Sequence, residues 1–186
     1  MSAFDSLHGT EAAALLEFAV SLPFLVVLVV GIFDFGGAFN LKQELNNAAR
    51  EGARFGSTQP TNDLLFASAT PGEVDAVRRV VDSYLINAHI NDCGLSALTG
   101  GTTGGGFSWN YSAKTGCAGQ TLLLTIDRGA AVPETLNGNP VNVVCTTVTI
   151  NYPYQWHFNN VISLLIPGAH LNLLTIQTQA TAVNTD

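Results

Sequence analysis

Five of the seven cysteine and histidine side chains are candidates to bind a metal or form a covalent link: His89, Cys93, Cys117, Cys145 and His157. His89 and Cys93 are spaced i, i+4 on a possible helix, which suits zinc ligands, but no second close pair and no C-x-x-C motif accompanies them. The alternative is a disulfide between Cys93 and Cys117, which would close a loop of about 25 residues and add roughly 3 kcal/mol of stability. We expect this bridge, with Cys145 left as a buried thiol, and no metal or other cofactor.

Catalytic and phosphate-binding motifs are missing from the sequence. No G-x-S-x-G, H-E-x-x-H or paired-carboxylate motif occurs, and the GGTTGGG stretch at 100–106 lacks the strand and the lysine of a phosphate loop. We therefore expect residues 94–120 to form a flexible loop. With a net charge of −7 and only seven Lys and Arg, the chain has no basic surface for nucleic acid. The sequence predicts a protein that is not an enzyme and does not bind nucleic acid.

The composition indicates a membrane or an assembly. Charged residues make up only 11% of the chain and apolar residues 47%, and the mean hydropathy is positive. Residues 15–39 read LLEFAVSLPFLVVLVVGIFDFGGAF, with 16 uncharged residues from Phe18 to Phe33. With residues 35–39 added, the stretch reaches the roughly 20 residues that cross a bilayer. A cleaved secretory signal is less consistent, because no basic segment precedes the stretch and the helical pattern continues beyond it.

Glu17 and Asp34 bracket the apolar stretch. They lie 17 residues apart, which is about 25 Å along a helix. A carboxylate at the bilayer centre costs roughly 2.5–3.5 kcal/mol, so we expect Asp34 to be a solvated residue at the membrane rim. Glu17 is either a helix-end acid reached by interfacial water or an acid with a specific partner. Pro23 should bend or locally melt the helix, which a packed assembly tolerates.

Beyond the membrane segment, small residues form a stripe along one helical face. It comprises Leu41, Leu45, Ala48, Ala49, Gly52, Ala53 and Gly56. Ala48, Gly52 and Gly56 are spaced four apart, a pattern that allows helix backbones to approach closely. A glycine costs about 1 kcal/mol relative to alanine in a helix, so two on one stripe indicate a packing requirement.

The rest of the chain predicts a small α+β domain. A loop over 57–70 precedes a helix that opens at Pro71 and Gly72, and three strand-like runs follow at 120–127, 141–152 and 171–183. NGNP at 137–140 predicts a tight antiparallel connection, and WHFNNVISLLIPG at 156–168 a helical or irregular crossing. The predicted domains are a leader-like segment at 1–14, a transmembrane helix at 15–39, an amphipathic small-residue helix at 40–56 and an exported domain at 57–186, whose antiparallel sheet packs against helices in a pilin-like α+β fold.

Residues 18–55 resemble the TadE-like family of minor pilins, the pseudopilins of tight-adherence (Flp, type IVb-like) pili. The matching words are LLEFAV, then LPFLVVLVVGIFDFG and then LNNAAREGAR. The resemblance implies a structural subunit of a bacterial pilus, set in the inner membrane with the N-terminus in the cytoplasm and the C-terminal domain outside. The alternative is an unprocessed single-pass scaffold of a secretion or pilus machine. Lys42, Arg50 and Arg54 follow the span, which is opposite to the positive-inside rule for this orientation.

The resemblance also implies partners and site residues. A prepilin peptidase would cleave the N-terminus, and Gly9 and Ala12 are the candidate positions; cleavage after Ala12 would place Glu17 at the fifth mature position, and cleavage after Gly9 at the eighth. In this family the acid at the fifth position pairs with the new N-terminal amine of a neighbouring helix. The residues expected to pack against other pilin subunits are Glu17, Phe18, Pro23, Ala48, Gly52 and Gly56.

Overall fold

The computed structural model describes residues 3–61, 64, 70–117, 120–158, 168 and 174–185, with side chains from Ala12 onward except that of Leu136. The chain divides into two compact units, one of Met1–Phe39 with Gln155–Leu173 and one of Asn40–Tyr154 with Leu174–Asp186. A long apolar helix is followed by a second helix and a five-stranded antiparallel sheet. The predicted α+β class is confirmed.

Helix α1 covers Ala3–Ser57 without interruption. Pro23 is expected to bend or locally melt the helix; local melting does not occur, because one proline removes a single backbone hydrogen bond and the turns on both sides remain. Within the part of the chain that the structure describes, Ala12–Ser57 is the one helix long and apolar enough to cross a membrane, with a mean hydropathy of 2.5 in its best 18-residue window. Length and composition thus permit a membrane span here.

Helix α2 covers Gly72–Asn87 and begins directly after Pro71. Glu73 and Asp75 lie in its first turn, where carboxylates interact favourably with the helix dipole. As its periodicity predicts, it buries one apolar face: Val74, Val77, Val81 and Leu85. The helix ends before His89, so the expected i, i+4 pairing of His89 with Cys93 on one helix is wrong.

The sheet is an antiparallel meander in the order β1–β2–β3–β4–β5. The strands are β1 (Thr102–Gly105), β2 (Ser108–Ala113), β3 (Leu122–Leu136), β4 (Asn139–Tyr154) and β5 (Leu174–Val183). Asn137 and Gly138 join β3 to β4 with φ values of 53° and 83°, and this two-residue turn confirms the connection predicted from NGNP. The predicted crossing at 156–168 lies mostly outside the described residues.

The expectation of a flexible loop over 94–120 is wrong for much of its length. This stretch contains a short 3-10 helix, Leu95–Ala97, and the strands β1 and β2. Trp109, Tyr111 and Ala113 alternate along β2 and are buried, while the residues between them are more exposed. Strand β2 therefore forms because every second residue contributes to the core, and its glycine-rich flank supplies β1 and the turn between the two strands.

The core of the second unit lies between the sheet, α2 and the part of α1 from Asn40 onward. Its fully buried side chains from the sheet are Tyr111, Leu122, Leu124, Ile126, Val148 and Ile150. The far end of the β3–β4 hairpin extends beyond this core. Strand β2 pairs with β3 only as far as Asp127, and β5 pairs with β4 only from Cys145. Among the described residues, 131–136 and 139–144 therefore form ladder pairs only with each other.

Candidate functional site

The first half of α1 presents apolar side chains to its surroundings rather than to a core. Phe18 is 58% exposed and Phe24 is 75% exposed, and only 6% of the most apolar window is buried. Glu17 and Pro23 are exposed on the same stretch, and so is Ala12. The candidate processing residue Gly9 also lies within the helix, but its surroundings are outside the described side chains. We call Ala12–Phe33 the apolar half-helix.

Asp34, directly after the apolar half-helix, is buried. Its side chain is 3% exposed, its Oδ1 accepts a hydrogen bond from the backbone N–H of His157 at 3.1 Å, and its Oδ2 accepts one from that of Phe158 at 3.3 Å. The His157 Nδ1 lies 3.4 Å from Oδ1. The expectation of a solvated rim residue is wrong, because backbone donors from more than 120 residues away replace water around the carboxylate.

An aromatic contact lies next to this carboxylate. The rings of Phe35 and Trp156 meet edge to face, with centroids 5.4 Å apart and planes inclined by 69°. The hydrogen bonds and the ring contact together attach the segment 155–158 to α1. We call Asp34, Phe35 and this segment the Asp34 clasp.

The small-residue stripe of α1 lies within the second unit and is covered there by α2 and β4. Ala48 is fully buried, and a methyl group added to Gly52 would lie 2.7 Å from Cγ2 of Val81. One added to Gly56 would lie 2.8 Å from Cγ2 of Thr146. The absent side chains therefore let α1 approach α2 and β4 closely. The expectation that Ala48, Gly52 and Gly56 pack against other subunits needs correction, since this face is already occupied.

The cysteines and histidines are distributed over separate places. Cys93 and Cys117 are joined by a disulfide across a separation of 24 residues, so these sulfurs are not available as thiolate ligands. Cys145 is a buried free thiol on β4. His157 belongs to the Asp34 clasp, and His89 lies in the turn after α2. Within the described residues, no three His, Cys, Asp or Glu side chains form a cluster that could hold a metal.

The sequence analysis missed a pair of acidic residues, Asp82 and Asp92. Burial and the nearby Asp92 carboxylate raise the pKa of Asp82 to about 6, and its Oδ1 has no hydrogen-bond partner among the described residues. Burial alone would also raise the pKa of Asp92, but hydrogen bonds from the backbone N–H groups of Ser96 and Gly94 and from the Ser96 hydroxyl lower it. Below about pH 6, Asp82 rather than Asp92 therefore carries a proton, and the pair links α2 to the segment that carries Cys93.

A second missed residue, Arg128, is the largest fully buried side chain. Its guanidinium donates to the backbone carbonyls of Gln59 at 2.6 Å and Pro60 at 3.2 Å. A single arginine thus holds the chain that leaves α1 against β3. Nothing in the local sequence DRGA indicates this burial, because the acceptors are backbone atoms nearly 70 residues away.

Comparison with known protein families gives a match to the sequence of helix α1. The family model described as TadE-like protein matches residues 12–54, which is nearly all of α1 after its first turns. Comparison with curated proteins and with solved structures gives no match. The matched stretch includes both LLEFAV and LNNAAREGAR, and so the resemblance in the sequence is confirmed. The long helix of this chain is TadE-like over residues 12–54, which points to a protein associated with the tight-adherence pilus.

Proposed function

We propose that this protein is a minor pilin or pseudopilin, a membrane-anchored structural subunit for assembly of a tight-adherence, type IV-like pilus. The observation that carries the proposal is the TadE-like match on a helix whose first half exposes apolar side chains. Surfaces of this size and apolarity in water promote aggregation, whereas lipid and neighbouring apolar helices accommodate them. The function is structural, with other pilin subunits as partners.

The anchoring we propose is a single pass through the bacterial inner membrane, with the N-terminus in the cytoplasm. The second unit, with its Cys93–Cys117 disulfide, would then fold outside the cytoplasm, where disulfides form and persist. A prepilin peptidase cutting after Gly9 or Ala12 would release the mature N-terminus. The domain boundaries predicted from the sequence, at residues 14, 39 and 56, belong to this proposal.

Contacts with other subunits are assigned to the apolar half-helix, since the small-residue stripe is covered within the chain. Glu17, Phe18 and Pro23 are all exposed there. A carboxylate surrounded by apolar side chains is costly unless it has a partner, and the N-terminal amine of a processed neighbouring subunit would supply the opposite charge. Phe18 and Pro23 would shape the surface around this ion pair.

Replacement of Glu17 tests the assembly function. We expect Glu17→Gln to lower incorporation of the protein into sheared pilus fractions at least tenfold, because the neutral amide loses the charge attraction. The amount in the membrane and the Cys93–Cys117 disulfide should stay unchanged. Glu51→Gln is the matched control, since Glu51 lies on the same helix and makes only an exposed ion pair with Arg54. Normal incorporation of the Glu17→Gln protein would contradict the proposal.

A second candidate, an unprocessed single-pass scaffold of a secretion or pilus machine, is favoured by one observation. Helix α1 runs without a break past Gly9 and Ala12, and a peptide bond inside a regular helix is a poor substrate for a peptidase. Intact-mass measurement of the membrane-extracted protein separates the two candidates. Loss of the first nine or twelve residues supports the pilin, and retention of all 186 residues supports the scaffold.

A further inference from the structure

We infer that the Asp34 clasp is a second membrane contact, in which segment 155–158 lies at the lipid headgroup boundary with Trp156 in the interface. This inference rests on the proposed insertion of α1 and deepens it. It assigns to a lipid surface a segment that is remote in sequence from the anchor. The inference concerns only the first unit, to which both parts of the clasp belong.

The first argument for a membrane contact is the position of Asp34. The residue directly follows the 16 uncharged residues Phe18 to Phe33 and lies five residues before the proposed end of the span at Phe39, which places it about 8 Å from that end rather than at the bilayer centre. Irregular backbone near lipid must have its polar groups satisfied within the protein. The Asp34 carboxylate accepts from the N–H groups of His157 and Phe158, so the same two hydrogen bonds satisfy a buried acid and a non-helical segment.

The second argument for a membrane contact is the direction in which the exposed side chains of α1 point. Along the apolar half-helix, exposed side chains point to all sides at 100° per residue, for example Leu16, Phe18, Phe24 and Phe33, which are each more than half exposed. Around Asp34, the exposed side chains of Ile32, Phe33, Phe35 and Phe39 lie within an arc of about 160°. The side left out is that of Asp34, which the segment 155–158 covers. A protein partner would cover one face, whereas lipid surrounds a helix. The observed distribution therefore fits lipid.

The third argument for a membrane contact is the composition of segment 155–158 and of the sequence around it. Between Glu134 and Asp186 the sequence contains no Asp, Glu, Lys or Arg, so the segment brings no charge that would hold it in bulk water. Trp156 places its ring against Phe35, and the aromatic side chain of Phe158 in the same segment is exposed. Tryptophan is enriched at membrane interfaces, where its ring contacts the acyl chains and its N–H reaches the headgroups.

The two tryptophans of the chain permit a direct test. Trp109 is buried on β2, so Trp109→Phe leaves Trp156 as the single fluorophore, and Trp156→Phe gives the matched control. The full-length protein is reconstituted into phosphatidylcholine vesicles with lipids brominated near the headgroup or at mid-chain. We expect Trp156 emission to be quenched more strongly by the bromine near the headgroup, and Trp109 emission to be unaffected by either lipid. Absence of quenching of Trp156 by both lipids would overturn the inference.

The second part of the experiment weakens the Asp34 clasp by substitution of Asp34 in the Trp109→Phe protein. Asp34→Ala should reduce the quenching of Trp156 at least twofold, and Asp34→Asn, which keeps one good acceptor oxygen, should reduce it less. In the Trp156→Phe background the same substitutions should leave Trp109 emission unchanged, which shows that the second unit is folded. Unchanged quenching in the Asp34→Ala protein would show that Asp34 does not hold the segment at the membrane and would overturn the inference.

Co-flotation with vesicles separates this inference from the proposed function. A protein that floats with the vesicles but shows no quenching of Trp156 retains its anchor and lacks the second contact, so only the inference fails. A protein that does not float lacks the membrane insertion on which both depend, so both fail. Flotation of the Asp34→Ala protein at the parent level is the expected result, since the apolar half-helix is unchanged.

Discussion

Among the described residues, four charged side chains are buried, Asp34, Arg78, Asp82 and Arg128, and the chain satisfies them in different ways. Arg78 forms an ion pair with Asp75 and donates to the backbone carbonyl of Leu95. Asp34 accepts two backbone N–H groups, and Arg128 donates to two backbone carbonyls. The Asp82 carboxylate is instead neutralised by protonation at low pH, because burial and the nearby Asp92 raise its pKa to about 6. Transfer of a charged side chain from water into the protein interior costs several kcal/mol unless hydrogen bonds or protonation compensate for the lost hydration.

Asp82 should make the protein less stable as the pH rises. Its pKa is about 3.8 in an unfolded chain and about 6 in the folded one, so the folded state binds the proton more tightly. Its contribution to stability is therefore largest below pH 4, declines between pH 4 and 6, and stays low above pH 6. We expect Asp82→Asn to raise the free energy of unfolding at pH 7.5 by about 1 kcal/mol and to have little effect at pH 4.

The measurement is denaturant unfolding of the full chain in detergent at the two pH values. Asp75→Asn is the control, because the contribution of Asp75 to stability has the opposite pH dependence. Burial alone would raise the pKa of Asp75, but hydrogen bonds and charge attraction from Arg78 and Arg79 lower it, so this carboxylate stabilises the fold above pH 4 and the contribution is lost on acidification. If Asp82→Asn proves destabilising at pH 7.5, the assignment of the raised pKa is contradicted.

Gly52 is expected to tolerate no side chain, because the space opposite it belongs to Val81. Gly52→Ala gains about 1 kcal/mol of helix propensity but forces the buried, β-branched Val81 to move. We expect a net loss of about 1–3 kcal/mol in the free energy of unfolding. Gly72→Ala in the first turn of α2 is the control, since nothing lies within 4 Å of the added methyl group there. Equal stability of the two variants would argue against the close approach of α1 and α2.

At the scale of elements, the disulfide fixes the link between α2 and the first strands. It joins Cys93, just after α2, to Cys117, just after β2. The Cys93→Ser, Cys117→Ser double variant should lose about 3 kcal/mol of stability, because the unfolded chain gains the entropy of an open loop of this length. Thermal unfolding of the oxidised parent and the variant measures the loss. Cys145→Ser is the control, since that thiol is not bonded in the parent and should leave a reducible disulfide intact.

The elements with a clear period were predictable from the sequence. The 3.6-residue pattern predicted α2 and the end of α1 nearly at their observed positions, and NGNP predicted the Asn137-Gly138 turn. Helix α1 begins at Ala3, twelve residues before the predicted start. Strand β2 was hidden because its flanks are glycine-rich, although Trp109, Tyr111 and Ala113 alternate within it. The burial of Asp34 and Arg128 could not be predicted, since their partners are backbone atoms distant in sequence. The spacing of Gly52 and Gly56 indicated close packing but not whether the neighbour is the same chain or another.

At the scale of the whole molecule, the two halves of α1 have different surroundings. From Leu45 to Ala53 the stripe of α1 is buried within the second unit, whereas the apolar half-helix is exposed. This contrast predicts that the full-length protein stays in the membrane pellet after washing with sodium carbonate and dissolves in detergent. We expect a variant lacking 15–39 to appear in the soluble fraction. Release of the full-length protein by carbonate would contradict the anchoring.

The free end of the β3–β4 hairpin offers an attachment point for a probe. Six residue pairs, from Ala131 with Val144 to Leu136 with Asn139, extend past the neighbouring strands, which at about 3.3 Å per residue is a reach of about 20 Å. An epitope or a fluorophore inserted between Asn137 and Gly138 would project away from the core that holds the domain together. The hairpin thus allows the protein to be tagged and located on a living cell while α1 remains unmodified.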